Sequence, residues 1–200
     1  MNDKSIFPVV LFGVYVIEFI ICAVQPYDRA VWWAENIPIM LIVISLIILY
    51  IRNIRFSNFG YICMAFLIFW HTIGGHYTFE RVPFDWFNNL FGFDRNMFDR
   101  IGHFSVGLYA YPIAEYLYKT GKTVSLWVAI LFGVFAVGTI AGIYEVVEWG
   151  YAVIYGGSAG ASFLGSQGDV WDAQKDIALD ILGAMWISIF AVGFLRRLRG

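Results

Sequence analysis

Long apolar runs alternate with short polar connections along the whole chain. Six runs stand out, at positions 6–24, 37–51, 59–76, 101–118, 125–149 and 176–195. Each approaches the roughly 20 residues a helix needs to cross about 30 Å of hydrocarbon. The second is short by itself, and its helix is expected to start near Val31 or Trp32. The pattern predicts an all-α fold, a polytopic transmembrane helical bundle of about six spans. No internal repeat is visible, and the connections are too short for a separate soluble unit, so residues 1–200 read as a single integral membrane domain. The first run has Lys4 ahead of it but no A-x-A pattern after it, and Ile21 rather than a small residue precedes Cys22. It reads as a retained helix rather than a leader.

Composition supports the bilayer reading. Hydrophobic residues make up 60% of the chain and charged ones 14%, against about 25% charged in soluble domains. Too few polar groups exist to cover the outside of such a chain in water, whereas lipid solvates an apolar exterior. The net charge of −2 carries no polybasic surface, which excludes nucleic acid as a partner. Cys22 and Cys63 fall inside apolar runs and read as small buried hydrophobes.

The basic residues set the orientation. Lys4, Arg52, Arg55, Lys119, Lys122, Arg196, Arg197 and Arg199 fall on the side that an even number of spans gives to both termini. Arg29, Arg81, Arg95, Arg100 and Lys175 fall on the other, mixed with acids. The positive-inside rule therefore predicts that both termini are cytoplasmic.

On that frame the acids and histidines collect at the outer side. His76 ends the third span, Asp99 and His103 begin the fourth, Glu145 and Glu148 end the fifth, and Asp169, Asp172 and Asp176 lead into the sixth. Glu18 lies in the outer half of the first span, and His71 and Asp180 lie one to two turns deeper. Asp172, Asp176 and Asp180 recur at i+4 and share a stripe, as do Asp99 and His103, and Glu145 and Glu148 share a face at i+3. His71 and His76 would not share a face unless Gly74 and Gly75 bend the helix. Ionisable groups at this depth are costly and mark partners, cavities or sites. Neighbouring carboxylates repel unless a proton or cation lies between them. An oxygen-rich set with few imidazoles suits Zn²⁺, Mg²⁺, Mn²⁺ or Ca²⁺, and only 3 histidines in the chain argue against histidine-rich di-iron chemistry.

Each feature also has a structural reading. Glu145 and Glu148 would pair with Arg81, Arg95 or Arg100. Asp172 would cap the sixth helix, and His103 would bond a backbone group. Glu115 with Lys119 is an i, i+4 pair outside the site. Gly156-Gly157-Ser158-Ala159-Gly160 fits G-x-S-x-G formally but follows a helix and reads as a flexible loop. No H-E-x-x-H, Walker A or G-x-G-x-x-G sequence is present.

Four segments carry a family likeness: His76-Tyr77-Thr78-Phe79-Glu80-Arg81-Val82-Pro83, Phe98-Asp99-Arg100-Ile101-Gly102-His103-Phe104, Tyr144-Glu145-Val146-Val147-Glu148-Trp149, and Phe163-Leu164-Gly165-Ser166-Gln167-Gly168-Asp169-Val170-Trp171-Asp172-Ala173-Gln174-Lys175-Asp176. Together they resemble the YjdF-like family of small bacterial inner-membrane proteins, from about the second span onward. The resemblance implies a bacterial inner-membrane location and a multi-span helical fold. It implies no reaction, since the family is one of unknown function.

The leading expectation is a divalent-metal-dependent enzyme acting on a lipid or lipid-linked substrate. Its metal ligands would come from His76, Asp99, His103, Glu145, Glu148, Asp172 and Asp176. Glu148 would be the general base, His103 would take part in the chemistry, and Arg100, with Arg81, would hold an anionic head group. The alternatives are a structural or regulatory protein whose polar cluster locks helices together, and a cation- or proton-coupled carrier. A carrier needs a polar path to the cytoplasm, and the inner halves of the runs are nearly all apolar.

Overall fold

The computed structural model describes residues 5–157, 160, 164 and 166–197. All regular structure among the described residues is helical. The helices are α1 (Phe7–Ala23), α2 (Arg29–Ile51), α3 (Asn58–Tyr77), α4 (Asp85–Phe91), α5 (Phe98–Val106), α6 (Ala110–Lys119), α7 (Leu126–Tyr155) and α8 (Asp172–Arg196); a 3-10 turn, Gly107–Tyr109, joins α5 to α6. Three of them, α2, α7 and α8, are long and apolar enough to cross a membrane, and α1 is a shorter apolar helix of 17 residues.

The runs read from sequence all reappear as helix, with shifted ends. The helix holding the second run starts earlier than expected, at Arg29, because Asp28 caps it by accepting from the N–H groups of Ala30 (2.8 Å) and Val31 (3.0 Å). Ser57 caps α3 through Gly60 N–H at 3.1 Å. The fourth run is divided: α5, the turn and α6 follow end to end from Phe98 to Lys119. The fifth continues past Trp149 to Tyr155, and the sixth begins one turn early, at Asp172.

Packing is closest between α6 and α7, α7 and α8, and α5 and α8, while α1 and α2 rest on α3. Small residues allow this. A Cβ on Gly183 would run into the Phe104 carbonyl, and one on Gly107 into the backbone of Asp180 and Ala184. Here α5 and α8 touch backbone to backbone, as helices do where small residues line the seam. Ala110, Ala129, Val137, Ala184 and Ala191 fill the core below, each almost wholly buried.

The distribution of polarity is the reverse of a water-soluble bundle. Ile20, Leu131, Phe135, Val153 and Ile189 are exposed, whereas Glu35, Arg100, Glu115, Asp176 and Asp180 are buried. A bilayer stabilises this arrangement because lipid, not water, meets the outer face. Cys22 and Cys63 are free and buried, as expected. Glu115 does more than its pairing with Lys119 at 3.4 Å. It is fully buried and accepts from Ser57 N–H (2.7 Å) and Oγ–H (2.9 Å), so α6 ties down the start of α3.

Candidate functional site

Two neighbouring sets of polar side chains meet where α2, α3, α5, α7 and α8 converge. The first is an arginine clamp. Asp172 and Asp176 are i, i+4 on the first turns of α8, and both face Arg100 on α5. The guanidinium of Arg100 donates to Asp176, to Asp172 Oδ1 at 2.5 Å and to Asp169 Oδ2 at 3.2 Å. Arg95 donates to Asp172 Oδ1 at 2.8 Å and lies 3.7 Å from both Asp169 and Asp99. The loop before α5 is fixed too. Asn96 donates to the carbonyls of Glu80 and Val82, and Gln167 bonds both the N–H and the carbonyl of Asn96.

The second set surrounds His103, one turn below Asp99 on α5. His103 Nε2 lies 3.6 Å from Asp99 and 3.7 Å from Asp176, and Nδ1 lies 3.4 Å from Asp180 Oδ2. The other oxygen of Asp180 is buried without a hydrogen-bond partner. One potential ligand atom each from Asp99, His103 and Asp176 lies within 4.8 Å of the others. A single cation can bridge groups at that separation after small rotamer changes.

Asp99, His103 and Asp180 form one wall of a cavity of about 320 Å³. Across it stands a third group. Glu35 on α2 sits 3.1 Å from His71 Nε2, and Tyr144 on α7 donates to the same Glu35 oxygen at 3.4 Å. Glu148 completes the polar lining, and Pro38, Ile39, Leu67, Ile140 and Ala141 give the apolar remainder. The cavity is thus an amphipathic chamber, with acids and imidazoles on both walls and hydrocarbon between.

The structure brings together Asp99, His103, Asp172, Asp176, Arg100 and Glu148 of the residues singled out from sequence, but divides them between clamp and cavity. Arg100 is buried and turned to the aspartates of α8 and its approach, not to a head group. Asp172 opens α8 without a side-chain cap bond and takes both arginines instead. Glu145 lies one turn from Glu148 with a buried, unbonded Oε1, and does not line the cavity. His76 sits apart: its Nδ1 donates to the Cys22 carbonyl at 2.9 Å. Arg81 pairs with Glu80 and lies over the Tyr27 ring. Ser158 and Ala159 of the G-x-S-x-G match, and Phe163 and Gly165 of the fourth family segment, lie outside the described residues.

Glu35 escaped the sequence reading, Tyr144 entered it only within the third family segment, and His71 only as a deeper neighbour. The signal for Glu35 was available: with a helix start near Val31, an acid one turn inside an apolar span is the kind of anomaly that singled out Asp180. Outside the helical spans, Asp169 is held below the ordinary carboxylate range, first by the hydrogen bond from Lys175 at 2.6 Å and then by that from Trp171 N–H.

The chain is similar to known proteins over nearly all of its length. Residues 7–197 match the family described as predicted membrane protein (DUF2238). The inner membrane protein YjdF of Escherichia coli (strain K12) is 33% identical over 183 residues, covering 88% of this chain and 85% of the relative. No solved structure matches.

Proposed function

The chain belongs to the DUF2238 family of predicted membrane proteins, with an inner-membrane location like that of its relative, and from that premise we propose that it is a six-span divalent-metal enzyme acting on a lipid or lipid-linked substrate. Both termini face the cytoplasm in this reading, and the cavity opens in the outer half of the membrane. The observation that carries it is the placement of Asp99, His103 and Asp176 within 4.8 Å of one another, with Asp99 and His103 on the wall of an amphipathic cavity and Asp176 behind them. Two carboxylates and an imidazole are a donor set for Zn²⁺ or Mn²⁺, with water completing the coordination.

Arg95, Arg100 and Lys175 together balance Asp169, Asp172 and Asp176 within the clamp. Asp99, Asp180, Glu35 and Glu148 remain around the cavity, with His71 and His103 as the nearest bases. Acids in excess of cations favour either a bound divalent ion or shared protons. A bound ion would polarise a substrate oxygen or acidify a water. Glu148 would act as the base, a role supported by its position on the lining of the same cavity as Asp99 and His103. Arg95 and Arg100 act here as the frame that fixes α5 against α8.

Elemental mass spectrometry on detergent-purified protein tests this. After chelation and reloading with Zn²⁺, Mn²⁺, Mg²⁺ or Ca²⁺ in turn, wild type should retain about one ion per chain, and His103→Gln and Asp99→Asn should lose it while remaining monodisperse. Wild type that retains no ion from any of the four sinks the proposal. A second reading, a cluster that only locks helices, is favoured by the number of bonds Arg100 makes. Under it those substitutions lower the melting temperature and change no ligand binding.

A further inference from the structure

Below the cavity the protein carries a second, dry space. It measures about 530 Å³ and lies between α2 and the α6–α7 pair, with Leu41, Ser45 and Leu49 on one side and Ile113, Leu117 and Phe132 on the other. Leu41 and Ile42 line both this slot and the cavity above, so the two adjoin along α2. The slot exists because α2 packs on α3 and makes no interface of comparable extent with α6 or α7. At the cavity, Tyr144 reaches across to Glu35 and bridges the two helices. One turn further down, Pro38 lacks the N–H that would bond the Ala34 carbonyl, the kind of break at which helices bend.

The walls identify the occupant. Ser45 Oγ donates to Leu41 O at 2.8 Å, and Tyr109 hydroxyl donates to Met64 O at 3.1 Å. The protons of these two hydroxyls are therefore already committed, Tyr116 adds a third hydroxyl at the end of the slot towards Lys119, and the other walls are almost wholly hydrocarbon. From Leu41 to Leu49 the slot runs about 12 Å along α2, at the helical rise of about 1.5 Å per residue. Such a surface offers little to a polar ligand and suits an extended alkyl chain, and its open side faces the bilayer.

We infer that one hydrocarbon chain of a membrane lipid occupies this slot, with its head group in the cavity beside Asp99, His103 and Glu148. This rests on the proposed enzymatic reading and narrows its substrate to a chain-bearing lipid that enters sideways between α2 and α7. Leu41 and Ile42 form the junction between head and tail.

The test uses the intact chain in lipid nanodiscs doped with a phosphatidylglycerol that carries a diazirine midway along one acyl chain. After photolysis, adducts are mapped by peptide mass spectrometry. They should concentrate on Ser45, Leu49, Ile113 and Leu117, severalfold above the exposed lipid-facing residues Leu131 and Phe135. Leu49→Trp and Ile113→Trp, which each fill the slot, should reduce the slot adducts severalfold and leave those at Leu131 and Phe135 unchanged. Adducts spread evenly over slot and outer face, or slot adducts that survive both tryptophans, overturn the inference. Metal content measured on the same samples separates the two readings. Slot labelling in a protein that retains no ion removes the metal and keeps the slot, and a retained ion with even labelling does the reverse.

Discussion

His71 on α3 and Glu35 on α2 are joined twice through one nitrogen: Nε2 lies 3.1 Å from the Glu35 carboxylate and 3.1 Å from the Glu35 main-chain carbonyl. A carbonyl can only accept, so Nε2 is the donor to both oxygens. The same carboxylate accepts from Tyr144, so three helices meet on a single buried acid.

Removing that acid should loosen all three. Glu35→Ala strands the Tyr144 hydroxyl and half of the His71 contact, and an unsatisfied buried donor costs about 1–3 kcal/mol. The melting temperature in detergent should fall by several degrees, and Glu35→Gln, which keeps an acceptor, should recover most of it. Equal melting temperatures for wild type and Glu35→Ala would show that the contact contributes nothing.

Arg100 is the more severe case. Its side chain is 6% exposed and serves three aspartates. Arg100→Ala leaves buried carboxylates uncompensated, and breaking a buried pair from one side costs about 3–5 kcal/mol. Arg100→Lys should recover little, because a single ammonium cannot reproduce the planar fork. Arg95→Ala should cost less, since its side chain is 19% exposed and Asp172 keeps Arg100. Thermal unfolding of the three variants gives the order, and a harmless Arg100→Ala would contradict the clamp.

The clamp also explains what was legible in the sequence. The spacing of Asp172, Asp176 and Asp180 foretold a shared stripe on α8, and Asp99 and His103 a shared face on α5; both faces are where expected. What spacing within a helix cannot tell is which partner faces the stripe. Arg100 was read as a head-group ligand because its distance from Asp176 in sequence hides their contact in space. His76 was counted with the site by depth alone, and the turn of α3 sends it to Cys22 instead. Glu35 was passed over because the second run was bounded at 37–51, which leaves this acid just ahead of it. Helix existence was legible nearly everywhere; the division of the fourth run was not, because the close approach of Gly107 to α8 is a property of the pair and not of either helix.

That approach gives another prediction. Gly183 sits under the Phe104 carbonyl, with no room for a Cβ against rigid backbone. Gly183→Ala must push α5 from α8, which separates His103 from Asp180 and Arg100 from Asp176. Overpacking typically costs about 1–3 kcal/mol, and more where backbone must move. Gly142, with open space around its Cβ position, is the control, and Gly142→Ala should be neutral or slightly stabilising. Similar melting temperatures for the two variants would refute the close seam.

Asp169 sets a pH dependence outside the spans. Its carboxyl is held below the ordinary range by Lys175, then Trp171 N–H. A depressed folded value contributes stability above the unfolded value and loses it as pH falls through the folded one. The melting temperature should therefore decline as the pH drops below about 4, where an unperturbed aspartate begins to protonate. Lys175→Gln should raise the Asp169 value and flatten that decline. Superimposable profiles for wild type and Lys175→Gln would remove Asp169 as its source.

The orientation can be read with two engineered cysteines. Cys22 and Cys63 are buried, so replacing them by serine and alanine leaves a silent background. Asp94 lies in the connection before α5, and Lys122 in the one after α6. The helical run from Phe98 to Lys119 between them spans about 30 Å at the helical rise, enough to cross the hydrocarbon. In the proposed orientation its cytoplasmic end is the second, which carries Lys119 and Lys122 without acids between them. Asp94→Cys should react with a membrane-impermeant maleimide from the outside of intact spheroplasts, and Lys122→Cys only after the membrane is opened. If both react from the same side, this run does not cross, the six-span reading fails, and the cavity loses its place in the outer half of the membrane.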